Sequence, residues 1–138
     1  MGEKADATAE LVTVGAQSPP RRLRVETGAV LRFLDALGTA VPPDAEDVKV
    51  PPTFPTTLQL PAPGLEAIDP ARILHGEQEY VYERPLRIGD VLTCVSRVSQ
   101  VSKKSTRLGE VTVVVIETTG CEDQGELVLT ERMTLMVR

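Results

Sequence analysis

Residues 73–90 read ILHGEQEYVYERPLRIGD, and this stretch decides the fold class. Gln78, Tyr80 and Tyr82 fall on one side of an extended chain, with Glu79, Val81 and Glu83 on the other. That period of two is the pattern of a half-buried strand. Pro85 ends the strand, and Gly89-Asp90 signals a turn before a second β-rich run. Three more runs follow: DVLTCVSRVSQV, EVTVVVIETTG and ELVLTERMTLMVR. They are separated by turn signals at 103–109 and at GCEDQG. In the last run Leu127, Leu129, Met133, Leu135 and Val137 share a face, interrupted by Glu131. Three successive antiparallel connections predict a meander of four strands, each burying mainly one face.

Working back toward the N-terminus, the period changes. Val30, Phe33, Leu34 and Leu37 stand at i, i+3, i+4 and i+7, which predicts a helix over GAVLRFLDAL with an apolar face. Thr27 is its expected N-cap and Gly38 its stop, while Arg32 and Asp35 point to water. A first strand is expected near Leu11 to Val14, behind a loose tail at residues 1–8. The prolines between Pro42 and Pro63 exclude a regular strand there, because each removes a backbone donor and fixes φ. A short central helix could open at PPTF and run from Thr53 to Leu60, since proline suits the first helical position. One early strand, a helix, a proline-rich crossing and four long strands predict an α+β fold. The expected form is one domain over residues 1–138, a curved antiparallel sheet wrapped around a central helix. Such a sheet has Val-rich edges that invite pairing with a second copy or another chain.

Composition narrows the function classes. Apolar residues make up 41% of the 138, enough for a core, and with no Trp, two Phe and two Tyr that core is aliphatic. The net charge of −5 argues against nucleic acid and anionic membrane as partners, which need a basic surface. Two small clusters, Arg21/Arg22/Arg24 and Lys103/Lys104/Arg107, read as solvated surface. The longest apolar run, Val113 to Ile116, falls far short of the roughly 18 residues of a membrane span. The N-terminus lacks a secretory apolar region, and Asp6 stands where a myristoylation motif needs Ser or Thr. Cys94 and Cys121 form no metal motif and read as free thiols. A cytoplasmic protein without metal or cofactor is expected.

Three segments carry a resemblance: VPPTFPTTL at 50–58, LHGEQEYVYERPLRIGDVLTCVSRVSQVSKKS at 74–105 and LVLTERMTLMVR at 127–138. Together they resemble the MaoC-like dehydratases, which are hot-dog proteins. Within that family the chain is most similar to the non-catalytic, N-terminal-type subunit of two-subunit (3R)-hydroxyacyl-ACP dehydratases. The resemblance spans about residues 20–138, and RPLRIGD is its most specific part. It implies a hot-dog fold and reversible hydration of a trans-2-enoyl thioester. In catalytic members an Asp and a His, five residues apart just after the first helix, form the acid–base pair. Backbone N–H groups at the central helix start stabilise the thioester oxygen.

The corresponding segment here reads GTAVPPDAEDVK. Gly38 matches, Thr39 stands where the Asp belongs, Pro42 lies near the family's Pro, and Pro43 or Asp44 falls where the His belongs. Thr and Pro cannot shuttle a proton near neutral pH. Asp44 and Asp47, in a polar loop, could do so only with raised pKa values. His75, the single histidine, lies elsewhere, on a strand. It reads foremost as a strand-end residue bonded to a neighbouring backbone group. The alternatives are a residue lining the acyl-thioester tunnel or the subunit interface, and a catalytic base. Thr53 and Phe54 could offer N–H groups to a thioester, or simply begin a proline-capped helix. Gly76 marks a bulge, or lets a thioester approach the backbone. Tyr80, Tyr82 and Cys94 read as core. The expected ligand is an acyl-CoA or acyl-ACP thioester. The expected assembly is a hot-dog dimer, either a homodimer or a heterodimer with a catalytic MaoC-like subunit that supplies the Asp/His pair. The alternatives are a non-catalytic acyl-thioester-binding or scaffolding homodimer, and a thioesterase acting through Glu77 or Asp44.

Overall fold

A computed structural model describes residues 12–138. Its elements are β1 (Arg21–Arg24), α1 (Thr27–Ala36), β2 (Ile73–Tyr82), β3 (Val91–Thr106), β4 (Gly109–Cys121) and β5 (Leu127–Val137), with three short 3₁₀ turns before β2. The strands form one antiparallel sheet in the order β1-β3-β4-β5-β2. The four long strands lie where Val, Thr and Tyr concentrate, because branched and aromatic side chains fit a pleated, half-buried surface.

This sheet corrects two expectations. It is open, with β1 and β2 as its edges, and it neither closes nor curls around a central helix. The α+β class and a single α-helix among the described residues remain, but α1 has only ten residues and one of them, Val30, is buried. The expected helix from Thr53 to Leu60 is a 3₁₀ turn over Phe54–Thr57. Its bonds span three residues, with the Phe54 N–H donating to Pro51 O, Thr56 to Thr53 O and Leu58 to Pro55 O. Pro52 and Pro55 have no N–H to give, and Gln59 at φ +48 turns the chain away. The second correction concerns the meander. Only β3, β4 and β5 follow one another; β2 pairs with β5, so the ERPLRIGD connection crosses from one edge of the sheet to β3 near the other.

The expected first strand falls partly outside the described residues, as does the expected tail at residues 1–8. Val12 to Val14 form no strand, although Val12 is buried. The chain instead turns at Gly15 (φ +89) and runs along β3, with the Gly15 N–H donating to Val98 O and the Ser18 N–H to Ser96 O, both at 2.8 Å. Helix α1 is capped by Glu26, one residue earlier than expected, and makes no side-chain cap bond. Its C-terminus follows the sequence reading: Gly38 takes φ +82, its N–H donates to Asp35 O, and the Thr39 N–H donates to Leu34 O, each at 2.9 Å. That pair of bonds is a Schellman stop. Leu37, expected on the buried face, is the C-cap and 56% exposed.

The core has two parts. At the α1 end, Val25, Val30, Phe54, Leu86, Leu92 and Val128 pack together, with Phe33, Leu34, Tyr80 and Tyr82 against them. At the other end, Val98, Ile116 and Leu135 of the sheet are covered by Val12, Leu65 and Ile68 from loops and a 3₁₀ turn. No helix among the described residues is long and apolar enough to cross a membrane.

Candidate functional site

The two core clusters meet at a polar row running across the buried face. Ser96 on β3 pairs with Thr118 on β4, Thr118 with Glu131 on β5, and Glu131 with Tyr80 on β2. Cross-strand partners project to the same face of a sheet, so these side chains are neighbours. The Ser96 and Thr118 hydroxyls hydrogen-bond at 2.7 Å, and Ser18 Oγ accepts from the Ser96 N–H at 3.0 Å. Glu131 is only 4% exposed. Burial pushes its carboxyl above the ordinary glutamate value, against a hydrogen bond from Gln78 and the field of His75. Burial also raises the Tyr80 phenol, followed by the nearby Glu131. The Tyr80 hydroxyl is shut away from solvent, with Gln78 beside it.

A cleft of about 370 Å³ opens beside this row, between the sheet and the Phe54–Thr57 turn. His75, Gln78, Glu131 and Met133 line its sheet side, and Pro55 and Thr56 its other side. His75 is exposed, and its Nε2 lies 2.6 Å from Gln78 Oε1. The expected backbone partner is thus replaced by a side chain three residues on. Strand residues three apart ordinarily face opposite ways, and what lets His75 reach Gln78 is a bulge: the β2–β5 register shifts between His75 and Glu77. Gly76 is the extra residue. A Cβ there would stand 3.2 Å from Thr134 O and 3.4 Å from the Met136 methyl.

The other anticipated residues are not gathered here. Phe54 is 1% exposed and its ring meets Phe33 edge-on at 5.8 Å, while its N–H is held by Pro51 O. Thr53 only flanks the turn. Glu77 is exposed on the opposite face of β2 from Tyr80, and Thr39, Pro42, Pro43 and Asp44 are all exposed. Cys94 is buried, and burial pushes its thiol up to about 11, which makes it a poor nucleophile. Gln78 and Glu131 were not anticipated as site residues. The signal for Glu131 was the interruption of the apolar face of β5. Among the described residues no group of three or more His, Cys, Asp or Glu is placed to hold a metal ion.

The RPLRIGD segment serves the fold. Arg84 makes two bonds to Asp90, at 2.9 and 3.1 Å, and reaches Glu122 beyond β4 with its Nε at 3.1 Å. Asp90 also accepts the Arg87 N–H at 2.7 Å. Burial alone would raise the Asp90 carboxyl, but Arg84 and the Arg87 N–H hold it below the ordinary aspartate value. Tyr82 Oη donates to Pro52 O at 2.6 Å, tying the end of β2 to the proline-rich crossing.

Residues 12–131 match the family described as the FAS1-like dehydratase domain region. With the strand order and the RPLRIGD clamp, that match settles the family. The chain belongs to the MaoC-like hot-dog dehydratases. A relative, the UPF0336 protein of Thermobifida fusca, is 36% identical over 98 residues, covering 67% of this chain but only 62% of that protein. Among solved structures, a chain of the HadBC (3R-hydroxyacyl-ACP dehydratase) complex of Mycobacterium tuberculosis superposes with a TM-score of 0.69 at 25% identity, covering 89% of this chain and 96% of that one. A chain of the ChsH1-ChsH2 complex from the same organism gives 0.71 at 17% identity over 99% and 91%, a likeness of fold.

Proposed function

We propose that this MaoC-like chain is the non-catalytic subunit of a (3R)-hydroxyacyl-thioester dehydratase. It binds the acyl chain of a CoA or carrier-protein thioester, and a hot-dog partner supplies the acid–base pair. In the hydration direction, water oxygen adds to C3 of the trans-2-enoyl thioester while one proton reaches C2. The reverse step expels the hydroxyl as water. Both directions need a group that takes a proton from water and a group that delivers one to carbon. One observation carries the reading: the segment after α1, where the family places its Asp and His, holds Thr39, Pro42, Pro43 and Asp44, all exposed. The likeness to a chain of a named two-component dehydratase supports it.

The chain acts as one hot-dog domain over residues 1–138, in the cytoplasm, and pairs along the β2 edge. Leu74 and Val81 on that strand are 62% and 49% exposed, which is the surface a second sheet would cover. The deciding assay is hydration of a trans-2-enoyl-CoA by the purified chain alone, by a catalytic MaoC-like partner alone, and by the two mixed. Turnover that requires the mixture is expected. Full turnover by the isolated chain would overturn the proposal. Thioester binding by a stable homodimer, with no activation of any catalytic partner, would replace it with the binding-module reading.

A further inference from the structure

Resting on the tail-binding reading above, we infer that the cleft floored by Glu131, Gln78 and His75 selects acyl chains carrying a hydroxyl along the tail, remote from C3, over plain alkyl chains. The floor of an alkyl tunnel should be apolar, and most of this face is: Val98, Ile116, Leu129 and Leu135 are buried hydrocarbon. The polar row breaks it at one level. Ser96 and Thr118 satisfy each other and Ser18, so they place no demand on a ligand. Glu131 differs. It lines the cleft, and its one side-chain partner there is Gln78, whose Oε1 is engaged by His75. The carboxyl therefore keeps hydrogen-bonding capacity directed at the cleft.

A methylene chain laid over this floor would cover the Glu131 carboxyl on its cleft side without offering it a hydrogen bond. Leaving a buried polar group unsatisfied weakens binding by about tenfold. A tail hydroxyl removes that cost, because it can both donate to the carboxyl oxygen and accept from a neighbouring donor. Sites built around a hydroxyl discriminate strongly against the analogue that lacks it, whereas an apolar pocket barely distinguishes the two. Selectivity for a polar tail is thus the behaviour this floor favours.

The test uses the full chain and titrates it with octanoyl-CoA and a set of octanoyl-CoA isomers hydroxylated at successive positions from mid-chain to the terminus. At least one isomer should bind about tenfold more tightly than plain octanoyl-CoA. Glu131→Leu should abolish or reverse that preference. Gln78→Leu, which leaves Glu131 in place, should weaken it and guards against a Glu131 variant that does not fold. Plain octanoyl-CoA binding as tightly as every isomer would overturn the inference while leaving tail binding intact. Failure of all the thioesters to bind would overturn the tail-binding reading and this inference with it.

Discussion

A carboxyl group shut away from water gives up its proton late, and Glu131 faces little that would change this. Tyr80 and Thr118 are its cross-strand neighbours, Gln78 and His75 share its cleft, and none carries a full, buried positive charge. Its folded-state pKa lies above the ordinary value of 4.5, so the folded state binds the proton more tightly than the unfolded chain does. The resulting stabilisation is complete below pH 4.5 and is lost as pH rises through the folded pKa. Glu131→Gln, which never ionises, should therefore melt higher than the natural protein at neutral pH. The advantage should shrink to nothing as the pH falls toward 4.5, as followed by thermal unfolding across a pH series. An equal difference at every pH would show that Glu131 does not titrate in this window. The residue could be found in the sequence, as the one charge on an apolar strand face, but its role could not. What makes it a site residue is the bulge at Gly76 and the turn at Pro55–Thr56, both set by chain segments more than 50 positions away. His75 was visible as the single histidine, yet its partner depends on the same bulge.

At the level of elements, the crossing from β2 to β3 is tied down by charged side chains. Arg84 ties its two ends through Asp90 and reaches the β4–β5 turn through Glu122. Arg84 and Asp90 side chains are 25% and 15% exposed, so the pair is partly desolvated and Arg84→Ala would strand a half-buried carboxylate. That substitution should cost about 2 kcal/mol in chemical denaturation. It should also change the acid limb. The Asp90 pKa is held below 3.8 in the folded state, so its contribution is present above 3.8 and lost as pH falls through the folded value. Without Arg84 that loss should flatten. The prolines, Gly89-Asp90 and Arg84 were all legible as a turn motif. What the motif connects was not, because a turn signal gives the end of a strand and not its neighbour. The same limit explains the 3₁₀ turn at Phe54–Thr57. Proline at a first helical position reads like a helix start, and only the pattern of three-residue bonds shows that no further turn follows.

For the whole molecule, the open sheet leaves β2 as a ten-residue edge whose exposed side carries Leu74 and Val81. Replacing both with Lys should leave monomer stability within about 0.5 kcal/mol, as surface changes usually do. It should lower the assembly mass measured by light scattering, because charge on an edge strand opposes pairing. Unchanged mass would place the assembly contact elsewhere. The class of fold and its four long strands were legible from VTVVVI and its neighbours. The open form was not, because closure depends on what covers the buried face, and here that face is divided between α1 and loop residues. The position of β2 has a further consequence, in time rather than space. Ile73 pairs with Val137, the first residue of one strand with the last of the other. During synthesis the β3–β4 hairpin can zip as soon as it emerges, but β2 must wait, unpaired, until the C-terminal strand has left the ribosome. The sheet is therefore complete only once β5 has been made, and a chain stalled or clipped before Leu127 leaves β2 unpaired and the outer edge of β4 bare to whatever else is nearby.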